Sequence, residues 1–549
     1  MLQGFIPWPH EDALRYRQAG YWKDIALFSA IQQSSVRRPE KVALVYQERR
    51  ITYKELNIRV EQAANLLAQS GLQPRERVVL QLPNIPEFVT TFLALLRIGV
   101  IPVMALPPHR NTEIRHYMHH AQAVGYIIPD VYRGFDYRAM AEELRPECPT
   151  LRSVYVVGTP YTGQISITDD AVEHVADRWM ESYQPIPDDV AFMLLSGGTT
   201  ALPKLIPRTH NDYVYNFQKS GIIGGINENT VYLAVLPLAH NYTLGSPGIL
   251  ATLDVGGTVV LSPNTDSVTI FQTVEKEGVT VIAATVPLIS AWINSPLHQQ
   301  FSHETLEVIQ SGGARLAPAF RKRVQEQFEV IPQEIFGTAE GLLCMTRLGD
   351  EEERILNSSG APISDADQIK IVNERGQEVE DGEEGELWCR GPYTICGYYN
   401  APEQNARAFS DGFYKTGDMV YKRGRYIYAE GRKNDLINRG GEKISCAELE
   451  NLILRHPKVK NVAVVAMPDE RFGEKACAYV VVRAGEALTF HELSHHLLQQ
   501  QVAKFKCPER LEVVDEFPLS AAGKVLRRDL RTDIARKLAE EKHSGSTSP

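Results

Sequence analysis

The 549-residue chain is sparing with the residues that staple, anchor or charge a protein. It has seven cysteines, at 148, 344, 389, 396, 446, 477 and 507, and no Cys-x-x-Cys pair among them. No histidine cluster has metal-ligand spacing either, so neither a disulfide scaffold nor a structural zinc site is expected; reduced thiols in a cytoplasmic setting are. No apolar run reaches the length of a membrane span. The opening "MLQGFIPWPHEDALRYRQAGYW" meets Pro7, Pro9, Glu11 and Asp12 before an apolar stretch can form, which argues against a secretory leader. Basic excess is missing too: a formal net charge of −10 disfavours a general nucleic-acid or anionic-membrane binder. Internal repeats and low-complexity tracts are also absent.

What is present is a globular composition, 43% apolar and 23% charged, in a chain long enough for two or more domains. Residues 52–71 place Leu56, Ala63, Leu66 and Leu67 at helical spacing, with Gly71 as a stop signal. "RVVLQLP" then reads as a buried strand, "EFVTTFLALLRIGV" as an apolar helix and "IPVMA" as another strand. The alternation recurs through 210–290, which predicts an α/β fold with parallel sheets covered on both faces. Residues 365–430 change texture to short strands, acidic turns and glycines, a small antiparallel β unit. From about 435 the pattern is α/β again, with helices expected at 447–455 and 490–500 and a frayed tail over the last dozen residues. The expected division is a large domain of stacked α/β sheets plus the β unit, 1–433, and a small mobile α+β domain, 434–549.

The segment "LLSGGTTALPK" (194–204) gathers Ser196, Gly197, Gly198, Thr199, Thr200 and Lys204 behind a buried run. It is no Walker loop. The G-x-x-x-x-G-K-[ST] spacing is absent, and the chain leads through Pro203 into "KLIPRTH", which reads as strand rather than helix. A strand–loop–strand turn still suits an anion, because consecutive backbone N–H groups and hydroxyls converge on it and Lys204 adds a positive charge. A polar hairpin turn is the bland alternative, and other segments must decide.

They do so by their order. "LLSGGTTALPK" resembles the nucleotide loop of the adenylate-forming superfamily, which includes acyl- and aryl-CoA synthetases and peptide-synthetase adenylation domains. "SGGARL" (311–316), "IFGTAEG" (335–341), "GELWCRGPYTICGYYN" (385–400), "YKTGD" (414–418), "GRKNDLINRGGEKI" (431–444) and "PLSAAGKVLRRDL" (518–530) resemble that superfamily's later motifs in sequence order. The resemblance spans essentially the whole chain. It implies attack of a carboxylate on the α-phosphorus of ATP, giving acyl-AMP and pyrophosphate, a reaction that depends on positioning and charge neutralisation.

By that resemblance Ser196–Thr200 and Lys204 cradle the β/γ-phosphates, and Gly313, Ala314 and Arg315 lie along the adenine with Phe336, Gly337 and Thr338. Glu340, helped by Thr200, binds Mg²⁺, a cation that prefers oxygen ligands. Asp418 accepts the ribose hydroxyls, Arg432 adds a ribose or phosphate contact, and Lys524 is the catalytic lysine that bridges substrate carboxylate and α-phosphate. Lys433 and Asn434 correspond to the hinge, and Gly440, Gly441 and Lys443 to the loop that serves the thioester step. One departure stands out: "FGTAE" carries Phe336 where most relatives have Tyr and Ala339 where they have Thr, so any hydrogen bond from that ring is lost while stacking remains possible.

The acid is read from "LPLAHNYTLGSPG" (236–248). In amino-acid-activating relatives an Asp near this point pairs with the substrate's ammonium; here the residue is Asn241, and a neutral amide does not offset the desolvation of a buried cation. Asn suits a phenolic hydroxyl instead. His240 and Tyr242 offer flat walls, Ser246 a further hydroxyl, and Gly312, Ile335 and Leu343 complete an apolar slot. The set resembles stand-alone aryl-acid ligases of catechol-siderophore assembly, whose members with Ser at this place take 2,3-dihydroxybenzoate. Salicylate activation, or an aryl-CoA ligase using free coenzyme A, is the alternative; an inert nucleotide-binding regulator is the non-enzyme one. Residues 525–549 leave no room for a carrier domain, so a separate phosphopantetheinylated aryl carrier protein is the expected partner.

Overall fold

Runs of β-branched and other apolar residues such as "TVVL" and "VIAA" carry too little polarity for a half-exposed strand, and in the computed structural model they form strands buried on both faces. The structure describes residues 1–167, 183–196, 203–432, 436–439, 442–469, 472–500, 506–520 and 523–545. Two large sheets dominate. A nine-stranded sheet pairs in parallel through its centre, with Leu44 beside Val259, Leu233 beside Ile282 and Ile309 beside Pro332, and turns antiparallel at its edges. A seven-stranded sheet is parallel except where Val190–Leu195 meets Leu205–Thr209. Helices cover both, in line with the expected α/β class.

Local chemistry sets the helix ends. Tyr53–Gln69 begins at a capping box, where Thr52 Oγ1 accepts from Glu55 N (3.2 Å) and the Glu55 carboxylate accepts from Thr52 N (2.7 Å). Soon after it ends the chain turns at Gly71, whose φ of +97° a side chain would oppose. Residues 368–432 form a five-stranded antiparallel sheet, the small β unit.

A further five-stranded sheet lies beyond 436, with one apolar cluster on each face, around Leu449 and Leu493 on one and Tyr479 and Ile534 on the other. The main core runs from Phe5 to Ala429 and the next begins at Ile437. The expected boundary at 433/434 itself lies outside the described residues.

The frayed tail needs correction. The helix Arg527–Gly545 takes in most of the expected tail, and residues 546–549 lie outside the described residues. Leu530 and Ile534 are buried against the sheet, and ion pairs from Arg536 to Glu540 and from Arg510 to Glu541 stitch its polar side. The polar, charged composition that suggested fraying is that helix's exposed face. Among the described residues no helix is long and apolar enough to cross a membrane, and no disulfide is formed by the cysteines.

Candidate active site

Strands Val190–Leu195 and Leu205–Thr209 pair in register up to Leu195–Leu205, and the hairpin is cinched at its neck. Ser196 N donates to Lys204 O (3.0 Å) and Lys204 N donates to Ser196 Oγ (2.9 Å). Gly197, Gly198, Thr199 and Thr200 lie outside the described residues, but both of the loop's roots are fixed. The Lys204 ammonium sits 4.1 Å from the ring centre of Tyr398. Burial lowers its pKa, opposed by the charge of Glu340.

Glu340 occupies the turn between strands Ile331–Thr338 and Gly341–Met345 and is buried. Its carboxylate accepts from the Tyr398 hydroxyl (2.8 Å), and its carbonyl accepts from Ile395 N (2.8 Å). Arg208, which the sequence reading missed, holds this turn from below. It donates to Ala339 O (3.0 Å) and Tyr393 O (3.2 Å) while pairing with Asp212 at 2.7 Å, both side chains fully buried. The i,i+4 cation and anion of "PRTHND" become a signal only with the burial of the stretch, since buried charges are retained when paired and hydrogen-bonded.

On the opposite wall, Gly313 adopts φ +84°, and a Cβ built there would meet Lys524 Cε at 3.1 Å. The lysine stem therefore lies over the glycine segment, although it comes from the far end of the chain. Its turn is set by Ser520, whose Oγ accepts from Lys524 N (3.1 Å), and Gly523 packs near Thr285 of the large sheet's rim. Arg483 donates to Asn294 Oδ1 (2.9 Å), a hydrogen bond between the C-terminal unit and the large one.

The segment 311–316 is itself tied at both ends to one carboxylate. Ser311 Oγ and Leu316 N both donate to Glu334, which pairs with Arg321 at 3.0 Å; the pair is fully buried. Burial raises the Glu334 pKa and lowers that of Arg321 to about 10. The Arg315 guanidinium donates to the carbonyls of Asn357 and Ala429 (2.9 Å each), so this predicted nucleotide residue has its side chain engaged in holding neighbouring backbone. Gly313 and Ala314 are exposed, Phe336 is half-buried and Gly337 is exposed. Thr338 Oγ1 is buried without a partner among the described residues. Asp418 is buried, its N–H donating to Thr416 Oγ1 (3.0 Å), and pairs in register with Arg432 across neighbouring strands. The side chains of Arg432 and Lys443, and all of Lys433, Asn434, Gly440 and Gly441, lie outside the described residues.

The remaining predicted residues gather around the short helix Asn241–Gly245. His240 caps it, its Nδ1 accepting from Tyr242 N (3.2 Å), which leaves the proton on Nε2. Burial, then the nearby charge of Lys524, pushes the His240 pKa down to about 3, so the ring is neutral. The Tyr213 hydroxyl donates to Asn241 Oδ1 (2.8 Å), and Asn241 Nδ2 donates to Ser246 Oγ (3.2 Å). Tyr242 lies across Gly312, where an added Cβ would come within 2.8 Å of its ring. Gly312 neighbours Ile335 in parallel register, and Leu343 faces Gly337 across the next hairpin. His240, Asn241, Tyr242, Ser246 and Gly312 thus gather in one neutral cluster, and the charge of Lys524 is felt at His240.

The family described as "AMP-binding enzyme" matches residues 31–399, and "AMP-binding enzyme C-terminal domain" matches residues 448–524. The chain belongs to the AMP-binding enzyme family. It is 42% identical to the 2,3-dihydroxybenzoate-AMP ligase of Bacillus subtilis, covering 98% of this chain and 99% of that one. It is also 42% identical to a salicylyl-CoA synthase / salicylate adenylyltransferase of a Streptomyces species, over 98% of this chain and 99% of the other. Among solved structures, that of apo MbtA from Mycobacterium smegmatis superposes with a TM-score of 0.74 at 39% identity, covering 96% of this chain and 98% of that one. This AMP-binding enzyme is therefore an adenylate-forming ligase by family as well as by fold.

Proposed function

We propose that the enzyme activates 2,3-dihydroxybenzoate with ATP, releasing pyrophosphate, and passes the aryl group to the thiol of a phosphopantetheinylated carrier protein in catechol-siderophore assembly. The observation that carries the choice of acid is the Tyr213–Asn241–Ser246 relay. The Asn241 carbonyl is taken by a tyrosine hydroxyl and its amide bonds to Ser246, with no carboxylate among its hydrogen-bond partners in the described residues, so a substrate ammonium there would be buried without a counter-ion from this pair, at a cost of several kcal/mol. A ring bearing hydroxyls meets partners instead: the remaining Asn241 N–H and the Ser246 hydroxyl. Similarity to ligases named for 2,3-dihydroxybenzoate supports the reading; equal similarity to a salicylate enzyme keeps salicylate as the second candidate.

In the first step an oxygen of the aryl carboxylate forms a bond to the α-phosphorus, and the bond to the bridging oxygen breaks as pyrophosphate leaves. Lys524, lying over Gly313, supplies a compact cation where charge builds up between the two anions. Lys204 and the loop rooted at Ser196 hold the departing phosphates, and Asp418 accepts from the ribose. The neutral His240 offers its Nε2–H as a hydrogen-bond donor without adding charge. Glu340 suits Mg²⁺: it is a buried carboxylate, and this ion uses one or two protein carboxylates beside phosphates and water. When bound, the ion supplies neutralisation of phosphate charge. In the second step the thiol attacks the acyl carbon and AMP leaves.

ATP–pyrophosphate exchange over 2,3-dihydroxybenzoate, salicylate, benzoate and several amino acids tests this directly. The expected order is 2,3-dihydroxybenzoate first, salicylate next, amino acids none. Strongest exchange with an amino acid overturns the pocket reading, and no exchange with any acid favours the inert regulator. Loading assays with carrier protein and with free coenzyme A decide the acceptor.

A further inference from the structure

Two residues assigned above to different ligands, Lys204 to phosphate and Glu340 to the metal, are touched by different parts of one buried side chain. We propose that Tyr398 is a positioning residue that couples the phosphate side of the cleft to the metal side, its ring seating the Lys204 ammonium while its hydroxyl orients the Glu340 carboxylate. The proposal rests on those two assignments. Lys204 lies 4.1 Å from the ring centre, inside cation–π range, and the hydroxyl reaches Glu340 Oε1 at 2.8 Å.

Tyr398 is built as a fixed strut. It is 1% exposed, with Phe409 and Tyr414 packed edge-on against its ring at 5.9 and 6.4 Å. Asn405 clamps its backbone from both sides, Oδ1 accepting from Tyr398 N (2.8 Å) and Nδ2 donating to Tyr398 O (3.0 Å). The next residue is tethered to the strand that follows the phosphate loop, Tyr399 N donating to Leu205 O (2.9 Å), while His120 bonds to the Tyr399 carbonyl (2.9 Å). A shift of Lys204 is thereby transmitted to Glu340 through one rigid ring.

The two functions separate by substitution. Tyr398→Phe keeps the platform for Lys204 and removes the bond to Glu340; Tyr398→Leu removes both. Calorimetric titration of ATP into the full-length protein, at a series of MgCl₂ concentrations, reads the effect without catalysis. For Tyr398→Phe the Mg²⁺ concentration at half-maximal affinity is expected to rise on the order of tenfold, the usual cost of losing a group that orients a metal ligand. Tyr398→Leu is expected to weaken metal-free ATP binding as well, by about threefold. Calorimetric binding of 2,3-dihydroxybenzoate stays within twofold for both.

In a Glu340→Gln background, Tyr398→Phe adds little, because the bond it removes no longer carries charge. A wild-type Mg²⁺ midpoint for Tyr398→Phe overturns the proposal, as does equal weakening of acid and nucleotide binding, which marks a general loss of packing. Should Tyr398→Leu fail to fold, Tyr398→Phe and the double variant still decide. Failure of the aryl-acid reading looks different: wild-type protein binds MgATP, and responds to Tyr398→Phe, yet exchanges pyrophosphate with none of the aryl acids.

Discussion

On the acid side of the cleft, His240, Asn241, Tyr242 and Ser246 come from seven consecutive residues and one short helix. On the nucleotide side, Ser196 with Lys204, then Glu340, Asp418 and Lys524 come from four separate segments. The first set orders itself, through a local cap and a short relay. The second depends on buried struts that make no contact with ligand in the proposed mechanism: Arg208 beneath Ala339, Tyr398 between Lys204 and Glu340, and Glu334 with Arg321 beneath the glycine segment. Local construction makes acid choice a matter of one or two side chains. Distributed construction means that nucleotide chemistry can be damaged from many places.

The largest effect tests the most distant contributor. Lys524→Ala removes a cation used where transition-state charge develops, so exchange with 2,3-dihydroxybenzoate falls on the order of a thousandfold. Because the acid pocket keeps its own relay, direct binding of the acid, followed by intrinsic fluorescence, changes by less than about threefold. A parallel loss of acid binding shows that the two sides are not independent.

Next comes a strut. Arg208→Ala leaves Asp212 buried without its counter-ion and strips the donors from Ala339 O and Tyr393 O, costing about 3 kcal/mol in urea unfolding. Arg208 also lies 4.7 Å from the ring centre of Tyr213, which holds Asn241. Should the variant's KM for acid rise as much as its KM for ATP, the contrast between the sides softens at this residue.

The same contrast explains what could be read from sequence. The α/β class, the family and aryl-acid activation were legible because their signals are contiguous: strand runs, ordered motifs, and "HNYTLGS" as one string. The struts were not, since Tyr398 lies in a motif whose string says nothing of Lys204, and the Arg208–Asp212 pair is recognisable only once burial is known. The C-terminal helix was misread because one apolar face, Leu530 and Ile534, is sparse within a highly charged segment. Gly313 shows the reverse: its motif was visible, but the approach of Lys524 across more than two hundred residues is a tertiary fact.

A smaller change probes the local side. Ser246→Ala removes one hydroxyl from a buried pocket and leaves the Asn241 amide and Tyr213 in place. The kcat/KM for 2,3-dihydroxybenzoate is expected to fall about tenfold, the worth of one hydrogen bond in a buried site, while benzoate is unchanged. Equal loss for both acids places Ser246 in packing rather than recognition.

The smallest effect uses pH to separate two supports of the cleft. His210 is buried, its Nδ1 accepting from Leu27 N (3.1 Å), and burial pushes its pKa down to about 4 from an ordinary value near 6.5. The unfolded chain binds the proton first, so the stability His210 contributes is present above pH 6.5 and is lost as pH falls toward 4. Asp367 is the opposite case: burial pushes it up to about 7, so it holds a proton in the folded state and favours folding most at low pH, an advantage lost as pH rises through 7. Asp367 accepts from the Tyr393 hydroxyl (2.6 Å), the same tyrosine whose carbonyl Arg208 holds. Urea melts at pH 6.5 and 5.5 compare wild type with each variant. The advantage of wild type over His210→Gln is expected to shrink by about 1 kcal/mol on acidification, and its advantage over Asp367→Asn to grow by a similar amount. Slopes of the same sign for both variants mean that one of the two groups does not titrate with the burial the fold gives it.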